Sequence, residues 1–368
     1  MPSPYLPEAQ IVESVAELWG LPLQSAGCGH CGQAHLVSAD RLGGRCPNCA
    51  RGKLESQPAR LRPEAPELLA PFNKTRADLP PLLNAFIKDV WLKPDDLEAA
   101  KMANRALPVF WPMWLVDGEL AGNWQAEVGF DYQVKSSQES YREGGWKSNE
   151  VVETRVRWEP RVGQLRRHYD NIAAPATSDH AVFQKRLGGF QLGQIRAYEA
   201  ALIQGHALRV PDVLPESAWP LAQTGLNQAA AEECVKAAQA QHLRDFNLQA
   251  AYDSLHWTQL LLPLYVTYYK DDAGQAHPIY INGQSGVVSG LRVASTKKGQ
   301  LWAGIVIALA LGLFLFGLLF GLVSLAVPLL LPLAGLCIFG AFPLGFAALL
   351  PALWPGQWNQ RQLAAHRL

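Results

Sequence analysis

Hydrophobic and polar positions are spread unevenly along this chain, and its last quarter differs in kind from the rest. From Leu301 to Trp354, fifty-four residues pass without one Asp, Glu, Lys, Arg or His. A bilayer's hydrocarbon core is about 30 Å thick and takes roughly 20 helical residues, so the run predicts two spans with a short apolar turn near Gly321 to Pro328. Lys297 and Lys298 precede the run and Arg361 and Arg367 follow it. Cytoplasmic flanks favour Lys and Arg, which predicts a two-span protein of the cytoplasmic membrane with both termini inside. Trp302, Trp354 and Trp358 sit where an interfacial aromatic belt would be. Gly317 and Gly321 form a G-x-x-x-G, a pattern that lets helix backbones approach closely. Its partner is either the second span, with Gly335, Gly340 and Gly345, or another membrane helix, including one from a second copy in a homo-oligomer.

Upstream, the pattern alternates between helical and strand periods. Glu8 to Trp19 places Ile11, Val15, Leu18 and Trp19 on one helical face and stops at Gly20. Near Phe72 a new domain opens: Asp78 can cap a helix presenting Leu82, Leu83, Phe86, Ile87 and Val90, and Asp95 can cap a second through Arg105. Leu107 to Phe130 and Val151 to Pro160 show the aromatic and β-branched alternation of half-buried antiparallel strands. Helices are expected again over Gln191 to Gln204 and from about Asn227 to Asp253. Leu260 to Gly290 then restates the earlier strand pair, with Pro263 matching Pro112 and Gly283 matching Gly129. This reads as a weak internal duplication, against which stands the chance likeness of two hairpins.

Bulk composition, with a net charge of zero and a mean hydropathy of -0.01, averages these unlike parts and hides the apolar segment. The start of the chain has neither a basic nor an apolar region of the kind a secretory signal needs. With the bulk of the chain expected in a reducing compartment, clustered cysteines suggest a metal before disulfides. Four of the six cysteines fall within Cys28 to Cys49, as two C-x-x-C pairs separated by fourteen residues. Each pair lets two thiolates converge on one tetrahedral ion, and four thiolates close its coordination, which points to structural zinc held by Cys28, Cys31, Cys46 and Cys49. His30 and His35 are the only nearby substitutes. A dithiol switch is the minority reading of the same pairs. Residues 55–71, with Pro58, Pro63, Pro66 and Pro71 among charges, have linker composition.

The order of these features resembles a known family: ribbon cysteines, PFNKTRAD at Pro71 to Asp78, Trp91-Leu-Lys-Pro94, the LPVFWPMWLVDGE strand, LLPLYVTYY, INGQSGVVSG and a terminal apolar hairpin. The chain is similar, over nearly its whole length, to bacterial membrane-anchored zinc-ribbon proteins often labelled transcription-factor-IIB-type zinc ribbon or primosomal helicase-like. Ser285 stands in the NGQSG motif where Thr is expected. The resemblance implies an adaptor at the bacterial inner membrane, beside flotillin-like (SPFH) and phage-shock-type envelope-stress proteins.

Catalytic patterns are scarce. The chain has no G-x-x-x-x-G-K-[ST], no H-E-x-x-H and no G-x-S-x-G, so helicase-motor, zincin and α/β-hydrolase readings fall. Ser295 to Lys298 matches S-x-x-K in letters, but lysines opening a membrane span are ordinarily interface anchors. Asp271 and Asp272 suit a hairpin turn. Arg155, Arg157, Arg161, Arg166 and Arg167 cluster near Trp158 and Tyr169, yet Glu153 and Glu159 interleave with them, and phosphate-driven binding needs a larger basic excess. The expected architecture has six parts: a helix over 1–20, a zinc ribbon over 21–54, a linker over 55–71, an α+β cytoplasmic domain over 72–296, a two-helix transmembrane hairpin over 297–358 and a cytoplasmic tail over 359–368. The expected function is non-enzymatic recruitment of protein partners to the membrane. The alternative is a membrane-tethered nucleic-acid binder that uses the ribbon.

Overall fold

A computed structural model describes residues 10–12, 19–20, 22–61, 65–142 and 144–367. The first seventy residues supply β1 (Gln10–Val12), β2 (Leu23–Cys28), β3 (Ala34–Ser38), β4 (Leu54–Ser56), β5 (Ala59–Leu61) and β6 (Leu68–Leu69). After α1 (Leu79–Ile87) and α2 (Ala99–Arg105) come two very long strands, β7 (Leu107–Arg142) and β8 (Gly145–Pro175). Next are α3 (His180–Leu187), β9 (Arg196–Ala197), α4 (Ala200–Ile203), β10 (Ala207–Arg209) and α5 (Pro215–Ala237). A third long strand, β11 (His242–Lys270), leads to β12 (Ala276–Asn282) and β13 (Val288–Gly290), and the chain ends in α6 (Thr296–Val323), α7 (Leu331–Ala347) and α8 (Leu349–Arg367). Among the described residues, eleven strands form one sheet of order β13-β12-β11-β7-β10-β3-β2-β4, with β6, β8 and β9 attached beside it.

Two prolines show how the sequence tolerates so large a sheet. Pro112 and Pro263 lie in the central antiparallel pair β7 and β11, facing Leu261 and Phe110, where a missing N–H should interrupt a ladder. The Leu261 carbonyl accepts from Ala70 N–H on the side away from β7, and the Pro263 carbonyl accepts from Gly283 N–H. Leu261 with Pro112 and Pro263 with Phe110 are therefore non-hydrogen-bonded pairs, and both prolines aim their missing donors outward. On that outer side β7 pairs with β10 through Val109 and Phe110 and with β8 only from Met113. On β11, β6 ends at Leu261 and β12 begins at Leu264. Each proline thus occupies a gap between two outer partner strands. The expected likeness of Pro112 and Pro263 has a structural counterpart, whereas Gly129 lies within β7 and Gly283 follows β12.

Local periodicity loses to tertiary pairing in several places. Gln10–Val12, within the expected helix Glu8 to Trp19, is a strand paired with Ala59–Leu61; residues 13–18 lie outside the described residues. Residues 55–71, expected as a linker, carry β5, β6 and the end of β4. Gln191 to Gln204, expected as one helix, breaks into a 3-10 turn, β9 and α4. The Ala-rich helix starts earlier than expected and ends at Ala237, because the following segment pairs with β7 from His242 onward. In α5 the buried positions Ala218, Ala222, Leu226, Ala230 and Cys234 recur every fourth residue and pack on Leu120, Trp257 and Tyr169 of the long strands. Small side chains let the helix lie close to the sheet. Cys234 belongs to that packing.

Beyond Gly129, where β11 begins, β7 and β8 continue alone to the turn at Gly144. This two-stranded arm pairs Phe130 to Arg142 with Gly145 to Arg157, thirteen residues per strand, or about 44 Å at 3.4 Å per residue. Tyr141 and Trp146 pair across it near the tip and are both exposed.

Two helical segments, Thr296–Val323 and Pro328–His366, are long and apolar enough to cross a membrane. Gly317 is one of their contact points: a Cβ there would lie 2.6 Å from Ile338 Cγ1 and 3.1 Å from the Ala334 carbonyl. Gly321 faces open space. The stretch beyond Trp354, expected as the end of the hairpin to residue 358 and a tail over 359–368, packs on the body. Trp354 and Trp358 pack against the cluster of Leu79, Leu83, Ile87, Tyr269 and Ile279. Trp358 Nε1 donates to the Arg292 carbonyl at 2.7 Å, the Asn359 amide bridges both backbone groups of Ala294, and Arg186 donates to the His366 carbonyl.

Candidate metal centre

The two C-x-x-C segments fold into matching knuckles. In the first, Gly32 N–H donates to the Cys28 carbonyl at 2.8 Å with Gly32 at φ 72°. In the second, Ala50 N–H donates to the Cys46 carbonyl at 2.9 Å with Ala50 at φ 56°. A left-handed residue follows each second cysteine, glycine in one knuckle and a strained alanine in the other. Gly43 (φ 72°) shapes the connection between the pairs.

All four sulfurs lie within 4.8 Å of one another. Cys28 Sγ to Cys49 Sγ and Cys31 Sγ to Cys46 Sγ are each 3.7 Å. Sulfurs 2.3 Å from a tetrahedral ion are about 3.8 Å apart, so the set can hold a metal without rearrangement. Outer donors face the sulfurs. Asn48 N–H reaches Cys46 Sγ at 3.3 Å, Arg51 and Gly52 N–H reach Cys49 Sγ at 3.5 Å, and the Asn48 amide reaches Cys31 Sγ at 3.8 Å. Such donors stabilise thiolate charge. Gly52 approaches closely enough that a Cβ would sit 2.3 Å from Cys28 Sγ. Burial raises the Cys46 thiol well above its ordinary value. An uncompensated thiolate there is disfavoured, and a cation would offset that cost.

The cluster consists of the four cysteines and contains no histidine. His35 is buried on β3, its register partner being Arg209 on β10, and burial with the added Arg209 charge pushes its pKa down to about 3. His30 borders a neighbouring cavity of about 430 Å³ with Arg51, Arg186 and His277. This cavity was not legible in the sequence, because its walls come from four distant segments.

The cysteine module is continuous with the rest of the molecule. β3 pairs antiparallel with β10, which pairs parallel with β7. Cys28 and Cys46 share a core with Val109, Ala207 and Val266. Arg51 Nε donates to the Ala276 carbonyl at 3.2 Å, the Tyr280 hydroxyl donates to the Asn48 carbonyl, and Arg45 stacks on Tyr268 at 4.7 Å.

The remaining motifs have structural roles. Asn282 of INGQSG is fully buried; its amide donates to the Leu187 carbonyl at 3.2 Å and accepts from Gln284 and Ser285 N–H. The Gly283 carbonyl accepts from both Asn73 and Lys74 N–H, and a Gly283 Cβ would strike Phe72 at 2.6 Å. The PFNKTRAD and INGQSG segments therefore lock each other. Ser285 Oγ accepts from Val287 N–H at 3.3 Å, a bond a threonine hydroxyl can also make. Thr75 forms a capping box with Asp78, so Asp78 serves the cap as its third residue. Ser295 caps α6, and its hydroxyl donates to Asp272 at 2.9 Å. Asp271 accepts from Ala273 and Gln275 N–H in the hairpin turn. Comparison of the chain with family models, curated proteins and solved structures finds no match.

Proposed function

We propose that the protein is a membrane-anchored adaptor whose body, an α+β domain fused to a zinc ribbon, presents a rigid platform for protein partners at the cytoplasmic face of the bacterial inner membrane. The observation that carries this reading is the unbroken sheet from the cysteine module to β11, together with a hairpin whose last helix packs back on the same body. Four thiolates at this spacing support zinc as the ion, which they would enclose completely, leaving no open position for substrate and giving the ion the role of folding the module. The helices Thr296–Val323 and Pro328–His366 are read as the transmembrane hairpin, and the flanking lysines and arginines favour a topology with both termini in the cytoplasm.

Recruitment falls to the long β7–β8 arm, because an isolated two-stranded ribbon with open edges and exposed aromatics is marginal alone and gains from a partner. Envelope-stress and flotillin-like assemblies are the partners that the family resemblance suggests. Nucleic acid is a weaker candidate. Arg155, Arg157, Arg161, Arg166 and Arg167 each have a carboxylate within 3.7 Å, from Glu153, Glu159, Glu119 or Glu233. Purification of the full chain in mild detergent, followed by identification of copurifying proteins and measurement of zinc and nucleic acid, tests the reading. One zinc per chain and a reproducible protein partner that is lost when residues 131–156 are replaced by a short turn would support it. Nucleic acid without a protein partner would overturn it.

A further inference from the structure

Where the body meets the apolar hairpin, the loop after α1 and the first turns of α6 enclose an open groove of about 690 Å³ lined by Lys88, Trp91, Lys93, Lys298 and Trp302. Its composition is unusual for a water-facing surface. Trp91 is 56% exposed and Trp302 52% exposed. Each ring leaves apolar area uncovered that would gain free energy in a less polar medium. Trp91 is held in place: it meets Trp354 edge-on at 5.7 Å, and Trp354 stacks on Trp358 at 5.1 Å.

Rise along α6 sets the depth of the groove. Counting back about 20 residues from Val323, the hydrocarbon-length stretch begins near Gly304. Trp302 then falls at the polar boundary and Lys298 about 6 Å above it, at the level of lipid headgroups. Lys88, Trp91 and Lys93 share a groove with these two residues, so a loop of the soluble body is held at headgroup depth.

The charge balance favours anions. Lys298 pairs with Asp95 at 2.6 Å, and Asp89 lies 3.8 Å from Arg292. Asp272 is occupied by Ser295 Oγ and by Lys297 N–H, while Lys297 Nζ donates to a carbonyl. Asp89 and Asp95 are thus matched by cations outside the pair Lys88 and Lys93. Neither of those lysines has an ion-pair partner among the described residues.

From this we infer that the groove binds the headgroup of an anionic phospholipid: Lys88 and Lys93 meet the phosphate, and Trp91 and Trp302 lie along the glycerol and upper acyl region. The inference rests on the membrane-spanning reading of α6. It adds to that reading lipid selectivity and a fixed seat for the body on the bilayer surface.

The test uses the full chain in mild detergent with equal amounts of phosphatidylglycerol and phosphatidylcholine of identical chains, the bound lipid being counted by native mass spectrometry. Phosphatidylglycerol should be retained over phosphatidylcholine by about tenfold or more, and Lys88→Gln with Lys93→Gln should lower its retention by about fivefold per lysine. Equal retention of the two lipids by the unaltered chain, or a preference untouched by the double variant, would overturn the inference. So would displacement of the lipid by millimolar inorganic phosphate, which would assign the groove to a soluble anion. Extraction of native membranes with alkaline carbonate separates this from the spanning reading. A chain that stays in the membrane but shows no lipid preference sinks the groove alone, and a chain that is released sinks the spanning reading with it.

Discussion

Replacing Gly52 by alanine is a sharp probe of the cysteine cluster, because it adds one methyl group and leaves all four cysteines in the sequence. The new Cβ would stand 2.3 Å from Cys28 Sγ and 2.8 Å from His30 Cβ. Ordinary contact begins near 3.5 Å, so the sulfur must withdraw by about 1.2 Å, whereas metal–sulfur distances tolerate only about 0.2 Å. Backing the loop away is resisted, because the Gly52 carbonyl accepts from Cys46 N–H at 2.9 Å and its N–H faces Cys49 Sγ. Overpacking of this kind costs about 1–3 kcal/mol, which corresponds to a loss of roughly 5- to 150-fold in zinc affinity. Competition of the purified protein against a chromophoric chelator measures it. Gly29→Ala is the matched control, since a Cβ there meets nothing within 4 Å, and its affinity should stay within about twofold of the unaltered protein. Equal zinc affinity in the Gly52 and Gly29 variants would refute the reasoning, and with it the view that Gly52 is a glycine because of Cys28.

Three further outcomes are expected. Gly317→Val should destabilise the apolar hairpin by about 1–3 kcal/mol in detergent unfolding, while Gly321→Val leaves it unchanged; if only the second variant dissociates an oligomer on a native gel, the outer face of α6 joins copies of the chain. Arg105 clasps Asp96 with two bonds of 2.7 Å and holds its carboxyl below the usual range. Because the folded value is the lower one, this stabilisation is present above the unfolded pKa of about 3.9 and is lost as the pH falls through the folded value. Asp96→Asn should therefore lower the unfolding midpoint at pH 7 but much less at pH 2, and an equal loss at both pH values would contradict the pairing. Trimming the arm at residues 131–156 should cost less than about 1 kcal/mol, or 2–4 °C in midpoint, because the last fully buried side chain on β7 before the arm is Val128; a larger drop would place the arm in the core.

The sequence showed most clearly the features that depend on neighbours in the chain. The cysteine spacing, the uncharged run and the alternation in Leu107 to Phe130 each mark an element that forms where expected. Long-range pairing was not visible. Residues 55–71 have the prolines of a linker, but Leu68 and Leu69 find β11 on one side and β9 on the other. The segment after Ala237 keeps the alanines of a helix, yet Ala250 and Ala251 lie opposite Gly122 and Ala121 in the ladder. Small residues suit both structures, and only the partner strand decides. The groove at Lys88 and Lys93 was hidden for the same reason, since its two walls, Lys88 to Lys93 and Lys298 to Trp302, are far apart in the chain.

The return of α8 onto the body also orders the protein's biogenesis. Trp354, Trp358 and Asn359 complete a core begun by Leu79, Leu83 and Tyr269, and the whole apolar hairpin lies between these contributions in the chain. The seam cannot close until the whole of Leu301 to Trp354 has been made. Completion of the body therefore waits on the last helix, and a nascent chain arrested within the hairpin would expose the apolar face of α1 to chaperones and proteases.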